Sequence, residues 1–230
     1  MNHVALRYFD RIARRAAPTF RKRRGDSFNL QEISFFKAAF ESAEYHDEHF
    51  STTRAFDTDL DLLSAAVALS KPKGLFLEFG VASGRSIRHL AGQTGSQVYG
   101  FDSFDGLPED WRTGFKKGAF AMPLPEVPKN VSLIQGWFSD TLPAFLSHHS
   151  GEVSFLHIDC DLYSSTKCAF DLLGDRISSG TVIQFDEYWN YPGWKTHEFK
   201  AFEELKAARN LSCKPIGFVP DHQQAAFIVE

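Results

Sequence analysis

From residue 75 onward the chain alternates short, mostly apolar runs with stretches of helical periodicity. The runs at 75–79, 97–101, 131–135, 153–158 and 181–185 predict strands, and 85–91, 165–176 and 197–208 predict helices between or after them. Strands that lack polar alternation belong to a parallel sheet covered on both faces. Residues 214–219, the turn Pro220-Asp221-His222 and residues 223–229 predict a closing hairpin, so the sheet should end on an antiparallel strand. Upstream, Asn29 followed by Glu32 predicts a capping box, with Ile33, Phe36, Phe40 and Ala43 as the apolar stripe of its helix. Leu62, Leu63, Ala66 and Val67 predict a second helix that ends before Lys71-Pro72. Both stripes are assigned to packing. The expected architecture is α/β, with residues 51–230 as the domain and 1–50 as an arm and helical extension.

What stands at the strand ends changes this from a fold into a site. Asp102, Gln135, Asp159 and Asp186 each fall at a predicted carboxyl end, and Glu78 falls just short of one. In open α/β sheets that edge is where ligands bind. Glu78, Gly80 and Gly84 form E-x-G-x-x-x-G directly after the first strand, a loop in which glycine permits a sharp turn and close approach. Asp102 follows Gly80 by 22 residues, where a carboxylate can accept ribose hydroxyls. The spacing is not the G-x-G-x-x-G of a pyrophosphate cradle. An adenosine ligand without a diphosphate, such as S-adenosylmethionine, fits the pair.

Two acidic clusters, Asp159-Cys160-Asp161 and Asp186-Glu187, follow the fourth and fifth strands. Neighbouring strands lie ~5 Å apart, so the clusters should face one another. Carboxylates gathered in this way repel unless one is protonated or a cation lies among them, and hard oxygen donors suit Mg²⁺ or a similar divalent ion. A base is also needed if a hydroxyl is to react. Asp161, one strand step beyond Asp159, is the first candidate and His197 the second. His157 reads as structural. The aromatic-rich stretch 188–194, with Trp111 and Phe115, is expected to form a lid or acceptor pocket, and the aperiodic segment 106–129 a binding loop.

The stretches LEFGVASGRS, YGFDSFDGLPEDW, QGWFSDTLP, LHIDCDLYSST and VIQFDEYWNYPGW resemble, in order, the macrocin O-methyltransferase family over roughly residues 75–205. The resemblance implies a class I methyltransferase Rossmann-like fold. It implies S-adenosylmethionine held by Glu78, Gly80, Gly84, Asp102, Ser103, Trp137 and Phe138, and a metal held by Asp159, Asp186 and Glu187. It also implies Asp161 as the base. The members of that family carry two Asp where this chain has Asp186-Glu187, which lengthens one arm. The implied activity is Mg²⁺-assisted O-methylation of a small-molecule hydroxyl, on a sugar or a sugar-bearing natural product. Two alternatives stand beside it: a metal-dependent glycosyltransferase using a nucleotide sugar, and a non-catalytic nucleoside-binding protein with a basic recruiting arm.

Composition bounds these readings. A chain of 230 residues with 43 % hydrophobic and 23 % charged content excludes wholesale disorder. No apolar run approaches the ~20 residues of a membrane span, and no apolar region follows the start, so neither a span nor a secretory signal is expected. Cys160, Cys168 and Cys213 lack metal spacing and suit a reducing cytoplasm. The net charge of −4 hides eight Lys/Arg against Asp10 in residues 1–24, so the remainder carries −11. Leu6, Phe9, Ile12, Ala13 and Ala16 lie among those arginines at helical spacing, a pattern that suits contact with another subunit of a homo-oligomer or with anionic membrane. The acidic body argues against a broad nucleic-acid face.

Overall fold

The computed structural model describes residues 27–230. The basic amphipathic stretch at Leu6–Ala16 lies outside the described residues. Among the described residues two helices come first, α1 (Leu30–His49) and α2 (Asp59–Leu69). Then follow β1 (Leu75–Phe79), α3 (Arg85–Gln93), β2 (Val98–Asp102), β3 (Val131–Gln135), α4 (Phe138–His148), β4 (Val153–Ile158), α5 (Tyr163–Leu173), β5 (Val182–Phe185), α6 (Glu198–Arg209), β6 (Cys213–Phe218) and β7 (Ala225–Val229). Among the described residues no helix is long and apolar enough to cross a membrane.

The seven strands order as β3-β2-β1-β4-β5-β7-β6. The first five pair in parallel, and β7 is antiparallel to both β5 and β6. The expected terminal hairpin is therefore present, with its second strand inserted beside β5. The pleat divides the core between the two faces. Leu77, Phe79, Phe101, Ile158 and Phe185 pack with α4, α5 and α6, while Phe76, Val98, Phe155 and Val182 pack with α2 and α3. Fully burying a side chain of this size stabilises by about 1.5–3 kcal/mol, so both faces hold the sheet between helices. The order reverses at β1, which is flanked by β2 and β4, and ligands bind beyond the strand ends at such a point.

Three expectations are corrected. Asn29 caps α1 by accepting from the Gln31 N–H at 3.0 Å, while a carboxylate oxygen of Glu32 is buried without a partner, so the reciprocal half of the capping box is missing. The packed face of α1 is also not the Ile33-Phe36-Phe40-Ala43 stripe. Ala38 and Ser42 are buried, whereas Phe40 and Ala43 are exposed. Small residues let the helix approach the chain after β5: Ser42 Oγ accepts from the Asn190 N–H at 2.9 Å, and the Tyr45 and Tyr188 hydroxyls meet at 3.0 Å. Finally, the aromatic stretch 188–194 is not a lid. Tyr188, Trp189, Tyr191 and Trp194 are all buried; the first two and Trp194 pack among Tyr45, Phe50, Phe199 and Phe227, and Tyr191 against Trp111 and His197. The segment between β2 and β3 is a loop, as expected, closed on itself by the Leu107 N–H to Ala119 and the Gly118 N–H to Leu107.

Candidate active site

The glycine loop is shaped by Asp102. Its Oδ2 accepts from the N–H groups of Val81 and Ala82, both at 2.8 Å, and its Oδ1 accepts from Phe104 at 2.7 Å. A carboxylate has about four acceptor positions, so three are spent holding two loops and about one faces outward. Gly80 is required by the sheet itself: a Cβ there would lie 1.6 Å from the Asp159 carbonyl oxygen. Gly84 caps α3 in the left-handed region at φ 75°, where a Cβ would press on Arg88 and Pro125. Glu78 is fully buried beneath the loop, and its oxygens are taken by Ser86 Oγ at 3.0 Å and His157 Nδ1 at 2.9 Å. Neither Glu78 nor Gly84 lines either of the two cavities described below, although both border the loop expected to hold a cofactor.

A cavity of about 580 Å³ opens over the strand ends. Beyond β2 stand Asp102 and Ser103, with Phe120, Trp137 and Phe138 supplying aromatic surface, and Gly80 lies between them and Asp159. Trp137 is 39 % exposed, and Phe138 is held edge-on against Phe79 at 5.0 Å. Ser103 Oγ accepts from the Asp105 N–H at 3.1 Å, which ties the Asp102–Gly106 turn. Beyond β4 and β5 stand Asp159, Asp161, Asp186 and Glu187. A second cavity, of about 460 Å³, reaches Asp159 and Asp186 from among Asp57, Arg85, His222 and Gln224.

The two acidic clusters do face one another, and they are joined by a residue the sequence reading missed. Glu198, fully buried in the first turn of α6, accepts from Cys160 at 3.3 Å and Asp161 at 3.1 Å through Oε1, and from Glu187 at 3.2 Å through Oε2. It thus clamps the backbone after β4 to the backbone after β5. Asp161 sits there at φ 63°, in the left-handed region, and is buried. Burial, then the charges of Asp186 and Asp161, raises the Asp159 and Glu187 carboxyls well above the ordinary range. Burial, then Asp161 and Asp186, does the same to Glu198. Burial pushes Asp161 up to about 7, with Arg112 pulling it down and Asp186 pushing it up. Crowded carboxyl groups, with Glu187 Oε2 buried and unpartnered, form a donor set that fits a divalent cation.

His197 is set apart from this centre. It lines neither cavity, its Nδ1 is buried without a partner, and it lies beside Trp111 and Tyr191. Burial, with Arg112 nearby, lowers its pKa. The aromatic packing before α6 thus holds His197 outside both cavities. His157 moves the other way. It lies near the end of β4, two residues before Asp159, and one ligand atom from each of His157, Asp159 and Asp186 falls within 4.8 Å of the others. Glu187 does not belong to that group. The H-x-D spacing at a strand end carried this signal, since residues two apart in extended chain point the same way.

Residues 77–188 match a family described as a methyltransferase domain. A curated relative from Streptomyces olivaceus, 8-demethyl-8-(2,3-dimethoxy-alpha-L-rhamnosyl)-tetracenomycin-C 4'-O-methyltransferase, is 32 % identical over 124 residues. That match covers 45 % of this chain and 46 % of the relative, so the chain spans under half the length of the curated relative it matches. Among solved structures, CalS11, a calicheamicin methyltransferase, is similar with a TM-score of 0.62 at 22 % identity, over 74 % of this chain and 78 % of its own. An O-methyltransferase from Bacillus cereus, solved in complex with SAH, is similar with a TM-score of 0.51 at 16 % identity, over 89 % of this chain and 92 % of its own. The fold is that of the class I methyltransferases, with helices on both faces of a mostly parallel sheet and an antiparallel C-terminal pair.

Proposed function

We propose that this protein is an S-adenosylmethionine-dependent O-methyltransferase whose acceptor is a hydroxyl of a sugar or of a sugar-bearing small molecule. One observation carries the reading: a single cavity joins the glycine loop, Asp102 and three aromatic rings to Asp161 and its acidic neighbours. The first group suits an adenosine without a diphosphate, and the second suits removal of a proton from an alcohol. The tetracenomycin-type relative, named a 4'-O-methyltransferase of a rhamnosyl compound, supports a sugar acceptor, and the SAH held by the Bacillus cereus enzyme supports the cofactor. Residues 51–230 would form the catalytic unit, with residues 1–50 as its extension.

When bound, S-adenosylmethionine supplies an electrophilic methyl group, and a divalent cation at Asp159 and Asp186 supplies positive charge that lowers the pKa of a nearby hydroxyl. The protein's own residues do the rest. Phe120, Trp137 and Phe138 offer flat apolar surface to an adenine, and the outward acceptor position of Asp102 meets a ribose hydroxyl. Asp161 takes the acceptor's hydroxyl proton on its carboxylate as the oxygen–carbon bond forms and the sulfur–carbon bond breaks. A base with a pKa near neutrality is well matched to that step.

Calorimetric titration with S-adenosylhomocysteine, then with a uridine diphosphate sugar, each with and without a divalent cation, tests the reading. Micromolar binding of the first alone is expected. Cation-dependent binding of the nucleotide sugar alone would make the acidic centre a diphosphate clamp and overturn the proposal.

The pH profile gives a second test. Arg112 stabilises the ionised form of Asp161, so Arg112→Met should raise the Asp161 pKa from about 7 and move the low-pH limb of kcat toward higher pH. Arg112 also lies over the rings of Trp111 and Tyr191, at 3.8 and 4.6 Å, so S-adenosylhomocysteine affinity is the control for misfolding. A limb that stays in place, in a variant that binds normally, would show that another group limits the rate.

A further inference from the structure

His157 and Glu78 are register partners on β4 and β1. Both side chains are buried, at 3 % and 0 % exposure, and Glu78 Oε2 lies 2.9 Å from His157 Nδ1. Ser86 Oγ donates to the other oxygen of Glu78 at 3.0 Å, so the carboxylate is held from both sides. A carboxylate fixed against Nδ1 keeps the proton on that nitrogen and leaves the Nε2 lone pair as the free end of the ring. Among the described residues the ring makes its one hydrogen bond at Nδ1. The ring belongs to the three-residue group with Asp159 and Asp186 whose ligand atoms fall within 4.8 Å of one another. Gln224 steadies that group from the turn just before β7, donating to Asp186 Oδ1 at 2.9 Å, and the second cavity gives solvent and ions a way to both aspartates.

We infer that His157 is a nitrogen ligand of the cation held by Asp159 and Asp186, that Glu78 orients it, and that this site takes a first-row transition ion in preference to Mg²⁺. The inference deepens the proposed methyltransferase reading and rests on its acidic centre. It also gives a role to Glu78, whose side chain is fully buried and lines neither of the two cavities. An oxygen-only set suits Mg²⁺, whereas an imidazole in the set favours the more polarisable ions of the Mn²⁺-to-Zn²⁺ series. Glu187, with the longer arm, is then left out of the direct ligands and faces the cofactor cavity.

The test uses the full chain and Mn²⁺ as the probe. Paramagnetic resonance follows uptake of the ion, and electron spin-echo modulation reports nitrogen bound to it. The parent should show one directly bound imidazole nitrogen, and Mg²⁺ in excess should displace Mn²⁺ poorly. His157→Gln should lose the nitrogen signal, and Glu78→Gln should keep it while binding Mn²⁺ about 10–100-fold more weakly, the usual effect of losing an outer partner. Bound Mn²⁺ without nitrogen modulation, no Mn²⁺ uptake by the parent, or His157→Gln binding Mn²⁺ as tightly as the parent would each overturn the inference. The first two readouts need no variant, so a failure of His157→Gln to fold leaves the inference open to refutation. S-adenosylhomocysteine titration of the parent separates the two levels. Cofactor binding without a nitrogen signal sinks the ligand assignment alone, and absence of cofactor binding sinks the methyltransferase reading.

Discussion

Asp161→Asn should lower kcat by about 10²–10⁴-fold, the range expected when a general base is removed, while leaving S-adenosylhomocysteine affinity unchanged. The two effects separate because Asp161 follows β4 whereas Asp102 ends β2, with β1 between them in the sheet. The variant should also fold. Asn is among the residues that tolerate the left-handed region, so φ 63° is no obstacle, and the N–H that Glu198 accepts belongs to the backbone. A neutral amide moreover resembles the protonated form that burial and Asp186 already favour below pH about 7. Its melting temperature should therefore equal or exceed the parent's at pH 8, where the parent carries the charge. A stable, cofactor-binding variant with parent-like turnover would remove Asp161 from the chemistry.

The fold was readable to the extent that burial is two-sided. β1, β3 and β4 fall on their expected bounds because apolar runs flanked by turns admit few alternatives. Helix α4 was not anticipated: Pro143 lies inside it and interrupts the helical pattern, although its apolar residues Leu142 and Phe145 reach the core. The stripe on α1 misled for a different reason. Large apolar residues mark a face that can pack, but the neighbouring surface decided which face did, and close approach favoured Ala38 and Ser42. At the site, the residues at strand ends were legible because a strand end fixes position. Asp102, Asp159, Asp161, Asp186 and Glu187 all line the large cavity. What stayed hidden depends on side-chain direction and on distant partners. Trp189 and Trp194 look like a pocket in sequence and are core in the fold. Glu198 reads as an ordinary first-turn acid, since nothing local shows that three N–H groups from two other segments converge on it.

That convergence makes Glu198→Ala the substitution with the largest expected structural cost. Three buried N–H groups, on Cys160, Asp161 and Glu187, would lose their acceptor together. Each unsatisfied group costs about 1–3 kcal/mol. Against this stands relief of the repulsion that Asp161 and Asp186 exert on a buried carboxylate. That relief is the smaller effect, because proton uptake already answers the repulsion in the parent, whereas nothing replaces the acceptor. A net loss of about 3 kcal/mol is expected, which for a chain of this size lowers the melting temperature by about 6–12 °C. Glu198→Gln should lose less: its carbonyl oxygen can keep Cys160 and Asp161, and only the Glu187 N–H meets a donor in place of an acceptor. The kinetic consequence should follow the same order. The clamp holds the left-handed turn that aims Asp161, so kcat should fall further in Glu198→Ala than in Glu198→Gln, with cofactor affinity preserved in both. If Glu198→Ala melted with the parent, the two acidic loops would be holding each other without the clamp. The position of Asp161 would then have to be set by the turn from Cys160 to Leu162 alone.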